Sequence, residues 1–501
     1  MIKLFLLLFR IKVEWIFLIF ASILGLICLF LTPYGESPDE QSHFYRAYQI
    51  ADGVFIPLKK GTSKQMQVGG EIPLSIAKTF SLIAIKGHPM HNQCKIDIKS
   101  YREALKLKLN PQEKYFDSSF LNTVLYSPIA YLPAAIGIKI GVFFDFPPLI
   151  IMYLGRILNL FCYILIMFFA IRTTPILKHT MLAISILPMI IFEAGASVST
   201  DAFLTCTSMF FLAYVWKLSY GTNVRGNVKV SRKKYINSFD IFILTLTGSV
   251  IALIKSFYWP ILLSVFLIPK KYFKNNKRYL LSISVILFVT LLLSAIWNSI
   301  AKEFYIPAAP DIIPGLQVKY MLAHPLIFFS HLIDTLKLHI ITTSNYFHQF
   351  IGILGWLDII FPEEVYSYAL QIILFLTITD ARLINNQNED KVNYEFNYKV
   401  KIKDKIKIKW RDKLFYFALF VGMIILLHVV MYLSWNPVGS GPIIIGMQCR
   451  YLYPFAICSM FIFYNRISLF KFIGRINNLV AILFASSLII KLIKVLFVRY
   501  F

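Results

Sequence analysis

The apolar run from Val13 to Leu31 is as long as a bilayer-spanning helix requires. A stretch of this length in lipid must satisfy its own backbone groups, so it folds as a helix. Its position resembles that of a signal peptide, but no small-residue cleavage site accompanies it, and it reads as a retained first span. The 501 residues are 57% hydrophobic, 16% aromatic and only 15% charged. That leaves too little polar surface for a soluble globule. The expected fold is an all-α polytopic integral membrane protein, with residues 1–501 forming a single membrane domain.

The net charge of +25 raises the question of nucleic acid. The lysines and arginines, however, sit in short loops between apolar runs and not on one soluble face, so orientation in the bilayer and contact with anionic lipid account for them. Nucleic acid is not an expected partner. Six cysteines are scattered, with Cys28, Cys162, Cys206 and Cys458 inside apolar runs and no pair at metal-ligand spacing, so neither a disulfide frame nor a zinc site is supported.

Basic loops set the orientation. Lys3, Arg10 and Lys12 precede the first span, and residues 225–234, 270–278 and 399–413 form three further basic segments, all expected to be cytoplasmic. Residues 32–122 then lie outside. If residues 123–144 and 149–171 both crossed, the 225–234 loop would be outside too. One of them therefore does not cross, and the segment 123–144, broken by Pro128 and Pro133 and carrying Lys139, is expected to lie in the outer leaflet. This places residues 33–147 and 302–362 in large extracytoplasmic loops and residues 383–413 in a basic cytoplasmic one. Residues 193–201 and 435–450 form shorter outer loops. The count is about eleven spans, within a range of roughly ten to thirteen, with residues 239–268 folded as two short ones. The basic segment 491–499 falls outside in this count, against the charge rule. The alternating run KVKIKDKIKIKW reads as a solvated cytoplasmic anchor or as a strand-like edge. No internal repeat, glycine-rich phosphate loop or nucleotide fold is visible, which argues against a soluble nucleotide-sugar or ATP site.

Directly after the first span comes ESPDEQSHFYRAYQI, residues 36–50, with three carboxylates, a histidine and an arginine. Ser37 at an N-cap, Pro38 at the first helical position and Glu40 three residues after the serine spell a capping box. In the helix that follows, Asp39, His43 and Arg46 recur at intervals of four and three and would share a face. A carboxylate and a cation there suit removal of a hydroxyl proton while a phosphate is held by arginine. The competing reading is an ordinary capped helix with a surface ion pair. Glu193 and Asp201 bracket EAGASVSTD, where Asp201 is either a neighbour of a cap or a second acidic ligand. Arg156 and Arg450 stand near the outer ends of apolar runs, where an arginine either meets a phosphate or snorkels to the headgroups. Asp358 sits in an apolar outer loop, GILGWLDIIFP, where a lone carboxylate is hard to explain as solvated surface.

The strings PDEQSHFYRAYQIADG, YSPIAYLPAAIG, ASVSTDAF, KSFYWP, GILGWLDIIFP and MQCRYLYP resemble, in order, the signatures of the bacterial membrane-protein family known as domain of unknown function 2142. That family in turn resembles the GT-C glycosyltransferases, multi-span enzymes taking sugars from polyprenyl-phosphate carriers outside the cytoplasmic membrane. By this resemblance Asp39 is the base, Glu40 stands beside it and Asp201 is the second acidic residue. The common PDEPAH reads PDEQSH here, with Gln41 and Ser42, while the acids, His43 and Arg46 remain.

The expected function is an inverting, GT-C-like glycosyltransferase at the bacterial cytoplasmic membrane, with its N-terminus inside and its active site outside. Asp39 and Glu40 are the catalytic candidates. His43, Arg46, Arg156, Asp201, Asp358 and Arg450 are candidates for binding substrate or phosphate. No cofactor is required, and a divalent metal held by Asp39, Glu40 and Asp201 is compatible with hard-cation chemistry. The partners are a polyprenyl-phosphate-linked sugar, a glycan acceptor and the bilayer. The alternatives are a transporter or flippase of lipid-linked glycans, or a polymerase or ligase using them.

Overall fold

The computed structural model describes residues 11–61, 66–84, 95–221, 235–307, 309–341, 346–380, 408–464 and 476–501. In helix Val13–Leu31 the large side chains Trp15, Ile19, Ile23, Leu26 and Phe30 form one exposed stripe, while Ile16, Phe17, Ala21, Leu24 and Cys28 are buried on the other side. Helix Asn276–Lys302 repeats this with exposed Leu281, Val285, Phe288, Leu292 and Ile296. Apolar stripes of that length facing outward have no place in water, and they identify the surface that meets lipid.

Among the described residues, six helices are long and apolar enough to cross a membrane: Val13–Leu31, Pro148–Thr173, Asp201–Tyr220, Asn276–Lys302, Trp410–Trp435 and Asn477–Tyr500. A seventh arises if Lys178–Ser185 and Pro188–Gly195, bent by 61° at their junction, count as one span. The expected count of about eleven is therefore reached only by including shorter apolar helices. Residues 239–268 do divide in two, as Ser238–Ile254 and a 3-10 helix Ser256–Leu267 with Pro260 inside it; Lys255 stands at the break. The segment 123–144 gives a 3-10 turn Pro128–Tyr131 leading into helix Leu132–Phe143, which is not among the six. It lies tightly on Pro148–Thr173: a Cβ on Gly137 would stand 2.2 Å from the Leu154 carbonyl oxygen, so the contact requires glycine.

The chain is not purely helical. The segment 33–147 carries an antiparallel sheet of Leu58–Lys60, Gln67–Pro73 and Lys114–Asp117, with Leu58 opposite Gly69 and Gly70 opposite Asp117. The all-α expectation missed it because a short sheet in a polar loop leaves only a weak period-two pattern. The loop also holds helices Glu40–Ala51, Leu74–Ile83 and Ile98–Ala104. In 302–362 the described residues form helices Pro314–Ala323, Pro325–Ile341 and Tyr346–Gly352 and a hairpin, Ile353–Leu354 with Ile359–Ile360. The basic loop 225–234, Lys3, Arg10 and the part of the 383–413 segment before residue 408 lie outside the described residues.

Polar contacts collect at two levels. At one, Glu14 is 3.9 Å from Lys178, His179 bonds Asp380 at 2.7 Å and Asn478 at 2.9 Å, and Asn478 donates to the Ile11 carbonyl. At the other lie Glu36, Glu40, Arg156, Asp358 and Arg499. The first helix and Asn477–Tyr500 therefore run parallel, joined at both ends. Of the basic segment 491–499, Arg499 shares its level with Glu36 and Asp358, and those carboxylates compensate it.

Candidate functional site

The capping box expected from Ser37 and Glu40 does not form. The helix starts at Glu40, its N-cap is Asp39 in the left-handed region (φ 59°, ψ 13°), and the Ser37 hydroxyl has no hydrogen-bond partner among the described residues. Glu40 is drawn away by a tertiary partner. Arg156 Nε donates to one of its carboxylate oxygens at 2.6 Å and Nη2 to the other at 2.7 Å, while the Gly35 N–H donates at 2.7 Å. The remaining guanidinium protons reach the Thr32 carbonyl at 2.8 Å and the Pro33 carbonyl at 3.1 Å, and the group lies 4.3 Å over the Tyr34 ring. Arg156 neither snorkels nor offers itself to a phosphate. It is a buried clamp tying the start of the Asp39 helix to Pro148–Thr173.

Holding Glu40 inward leaves Asp39 at the turn, partly exposed and with no hydrogen-bond or ion-pair partner for its carboxylate among the described residues. A non-glycine residue in the left-handed region is strained by roughly 1–2 kcal/mol. Asp39 and Glu40 both line a cavity of about 510 Å³, within the size range of small-ligand pockets.

The shared face expected for Asp39, His43 and Arg46 is not realised. His43 turns to Tyr131, with Nδ1 2.7 Å from its hydroxyl, and stacks on Tyr126. Burial lowers its pKa to about 3, so the ring is neutral near pH 7 and does not serve as a cation for phosphate. Arg46 is fully buried, donating to Gln49 Oε1 at 2.5 Å and to the Phe55 and Tyr126 carbonyls at 2.7 and 3.4 Å. It has no carboxylate partner among the described residues, its Nε has no acceptor, and burial lowers its pKa to about 10.

A second cluster gathers chain positions far apart in sequence. Asp201, in the first turn of Asp201–Tyr220, accepts a hydrogen bond from Lys255 Nζ, and Arg450 Nε lies 3.3 Å from its other oxygen without hydrogen-bond alignment. Arg450 Nη1 donates to Glu193 at 2.9 Å, and Ser199 Oγ donates to the same carboxylate at 2.5 Å. The Lys255 ammonium also sits 4.7 Å over the Tyr451 ring. His43 feels the charges of Asp201, Arg450 and Lys255, which links the two clusters. Lys255 and Glu193 were absent from the candidates named in the sequence. The sequence signals for Lys255 are a cation placed between two apolar runs and its position as the first residue of the string KSFYWP.

A third group is Asp358, Arg499 and Glu36. Arg499 Nε donates to Asp358 at 2.6 Å, and Nη2 lies 3.8 Å from Glu36. Asp358, expected to bind substrate, is held instead by Arg499, while its loop neighbour Trp356 and Glu36 line the cavity. Burial pushes the Glu36 pKa up to about 7; Arg499 opposes that rise, and Asp358 adds to it.

Asp39, Glu40 and Asp201 do not converge as a metal site. Glu40 is taken by Arg156 and Asp201 by Lys255 and Arg450, and among the described residues no group of three or more His, Cys, Asp or Glu side chains is placed to hold a metal ion. No curated protein and no solved structure matches the chain. The family model described as predicted membrane protein (DUF2142) matches residues 20–458, a stretch that holds every residue of these clusters except Arg499, and the chain belongs to that family.

Proposed function

We propose that the chain is an inverting, GT-C-type glycosyltransferase of a bacterial cytoplasmic membrane. It takes a sugar from a polyprenyl-phosphate carrier and transfers it to a cell-envelope glycan on the extracytoplasmic face. The N-terminus is then cytoplasmic, and the chain crosses about eleven times, short apolar helices included. The observation that carries this reading is Asp39: an uncompensated carboxylate on a strained helix start, facing a ligand-sized cavity while its neighbour Glu40 is locked away.

In the reaction, the Asp39 carboxylate takes the proton of an acceptor hydroxyl as that oxygen bonds to the anomeric carbon. The bond from that carbon to the phosphate oxygen breaks, and polyprenyl phosphate departs with the electron pair. The chain must then orient the acceptor and neutralise the phosphate. Arg46, which lacks a carboxylate partner among the described residues, supplies positive charge for this, and Lys255 and Arg450 add to it by turning from Asp201 and Glu193, which compensate them in the structure. No step runs through a metal ion, because the residues do not fit one.

The test is transfer from a panel of undecaprenyl-phosphate sugars in proteoliposomes, comparing the parent chain with Asp39→Asn at matched expression. Loss of product and of carrier release in the variant alone supports the reading; full transfer by Asp39→Asn sinks it. A second reading, a transporter or flippase of lipid-linked glycans, draws on the helix pair Lys178–Ser185 and Pro188–Gly195, since broken helices recur in transporters. Saturable movement of a lipid-linked glycan across the bilayer, with no transfer from any donor, would favour it.

A further inference from the structure

Among the described residues, the walls of the cavity beside Asp39 contain Glu36, Asp39 and Glu40 and no lysine, arginine or histidine. With Asp358 behind them, four carboxylates at this level face the two guanidinia of Arg156 and Arg499, so the surroundings carry net negative charge when all are ionised. In a partly buried site that charge repels an anion strongly.

Every described residue lining the cavity lies outside the six long apolar helices. Its walls come from the loop after the first helix, from Glu40–Ala51, Leu74–Ile83 and Lys114–Asp117, and from Trp356. Such a cavity takes its occupant from the aqueous side, whereas a lipid-linked molecule reaches the chain between spans.

A separate observation concerns hydrogen bonding. Tyr34, only 1% exposed, and Trp356 both line the cavity, and both carry a buried polar atom, the phenol oxygen and the indole Nε1, with no partner among the described residues. Buried polar groups of tyrosine and tryptophan ordinarily find a partner. The wall also presents a row of hydroxyls: Gln41 Nε2 donates to Tyr45 Oη at 2.9 Å, and Tyr115 Oη donates to Asp117 at 2.6 Å. Aromatic faces, hydroxyls and carboxylates together are suited to the alternating C–H faces and hydroxyl edges of a saccharide ring.

We infer that this cavity seats the acceptor glycan and admits rings that are neutral or carry an amino group, rejecting uronic acids and phosphorylated sugars. The word acceptor rests on the transferase reading above; the charge selection concerns binding alone. Trp356 makes the ring contact, since the Tyr34 ring is already covered by Arg156 and Phe80, and Asp39 imposes the selection, joined by Glu36 where the pH ionises it.

The experiment is saturation-transfer NMR on the full chain in lipid nanodiscs with three probes of equal length: trimers of N-acetylglucosamine, of glucosamine and of galacturonic acid. The first two receive saturation on their ring protons and the third does not. Trp356→Ala weakens the N-acetylglucosamine trimer about tenfold, while Trp356→Phe, which keeps a ring, retains most of the binding. Combining Glu36→Gln with Asp39→Asn lets the galacturonate trimer bind. Galacturonate binding as tight as that of the neutral trimer, binding indifferent to Trp356→Ala, or no saturation of any trimer would each overturn the inference. Loss of sugar transfer from every donor with this binding pattern intact would instead remove the transferase reading and leave the selection standing.

Discussion

Arg156 holds both carboxylate oxygens of Glu40, at 2.6 and 2.7 Å, across 116 positions of sequence and with neither side chain exposed. The pair fixes where the Asp39 helix begins.

Removing one partner leaves a buried charge alone, so Arg156→Ala or Glu40→Gln should each destabilise the chain by about 3–5 kcal/mol. The double variant Arg156→Met with Glu40→Leu should recover most of that loss while transfer stays low. Thermal unfolding of the purified chain in nanodiscs reads this, and equal damage from the single and double variants would contradict it.

Asp39→Gly should raise stability by roughly 1 kcal/mol, because glycine occupies the left-handed region without a Cβ penalty. The same variant should lose sugar transfer. A stabilised and fully active Asp39→Gly chain would mean that the strain serves nothing.

Glu36 and His43 predict opposite pH dependences. The Glu36 pKa of about 7 lies above its usual 4.5, so the protonated form favours the native state. Its contribution is complete below pH 4.5 and is lost as pH rises through about 7, amounting to about 3 kcal/mol. The groups acting on it are Arg499, Asp358, Glu40 and Arg156. His43, held near 3 against its usual 6.5, contributes stability above pH 6.5 that is lost as pH falls toward 3. Unfolding temperatures across this range should lose their alkaline decline in Glu36→Gln and their acid decline in His43→Gln.

Lys255→Met leaves Asp201 with Arg450 alone. If these cations neutralise the carrier phosphate, kcat/KM for the donor should fall by roughly 30-fold or more, with little change for a soluble acceptor analogue. Initial rates at varied donor concentration decide this.

The membrane character of the chain and the acidic cluster after its first helix were legible because hydropathy and charge are local properties. Residues 123–144 proved short and the 239–268 run split, both foreseeable from prolines and from Lys255. What sequence could not show is pairing at a distance. Ser37, Pro38 and Glu40 satisfy every local rule of a capping box, yet Arg156 offers Glu40 a bidentate, desolvated partner that a single backbone N–H cannot match. Nothing local in the sequence pairs Arg499 with Asp358 and Glu36, 141 and 463 positions away. Arg46 and His43 lie on the expected helix, but the aromatic residues Tyr126 and Tyr131, far along the chain, decide where they point. Trp356 looked like part of an apolar loop and became a wall of the cavity only through the fold.

The parallel pairing of Val13–Leu31 with Asn477–Tyr500 gives the chain a particular order of birth. Glu36 leaves the ribosome early, and Arg499 follows 463 residues later, which at ordinary synthesis rates is roughly 20–90 s. For that interval the cavity wall lacks the cation that compensates it, and helix Val13–Leu31 lacks its neighbour. A nascent chain must therefore keep a vacant groove beside its first helix, shielded by lipid or by the insertion machinery, until the last helix arrives to fill it.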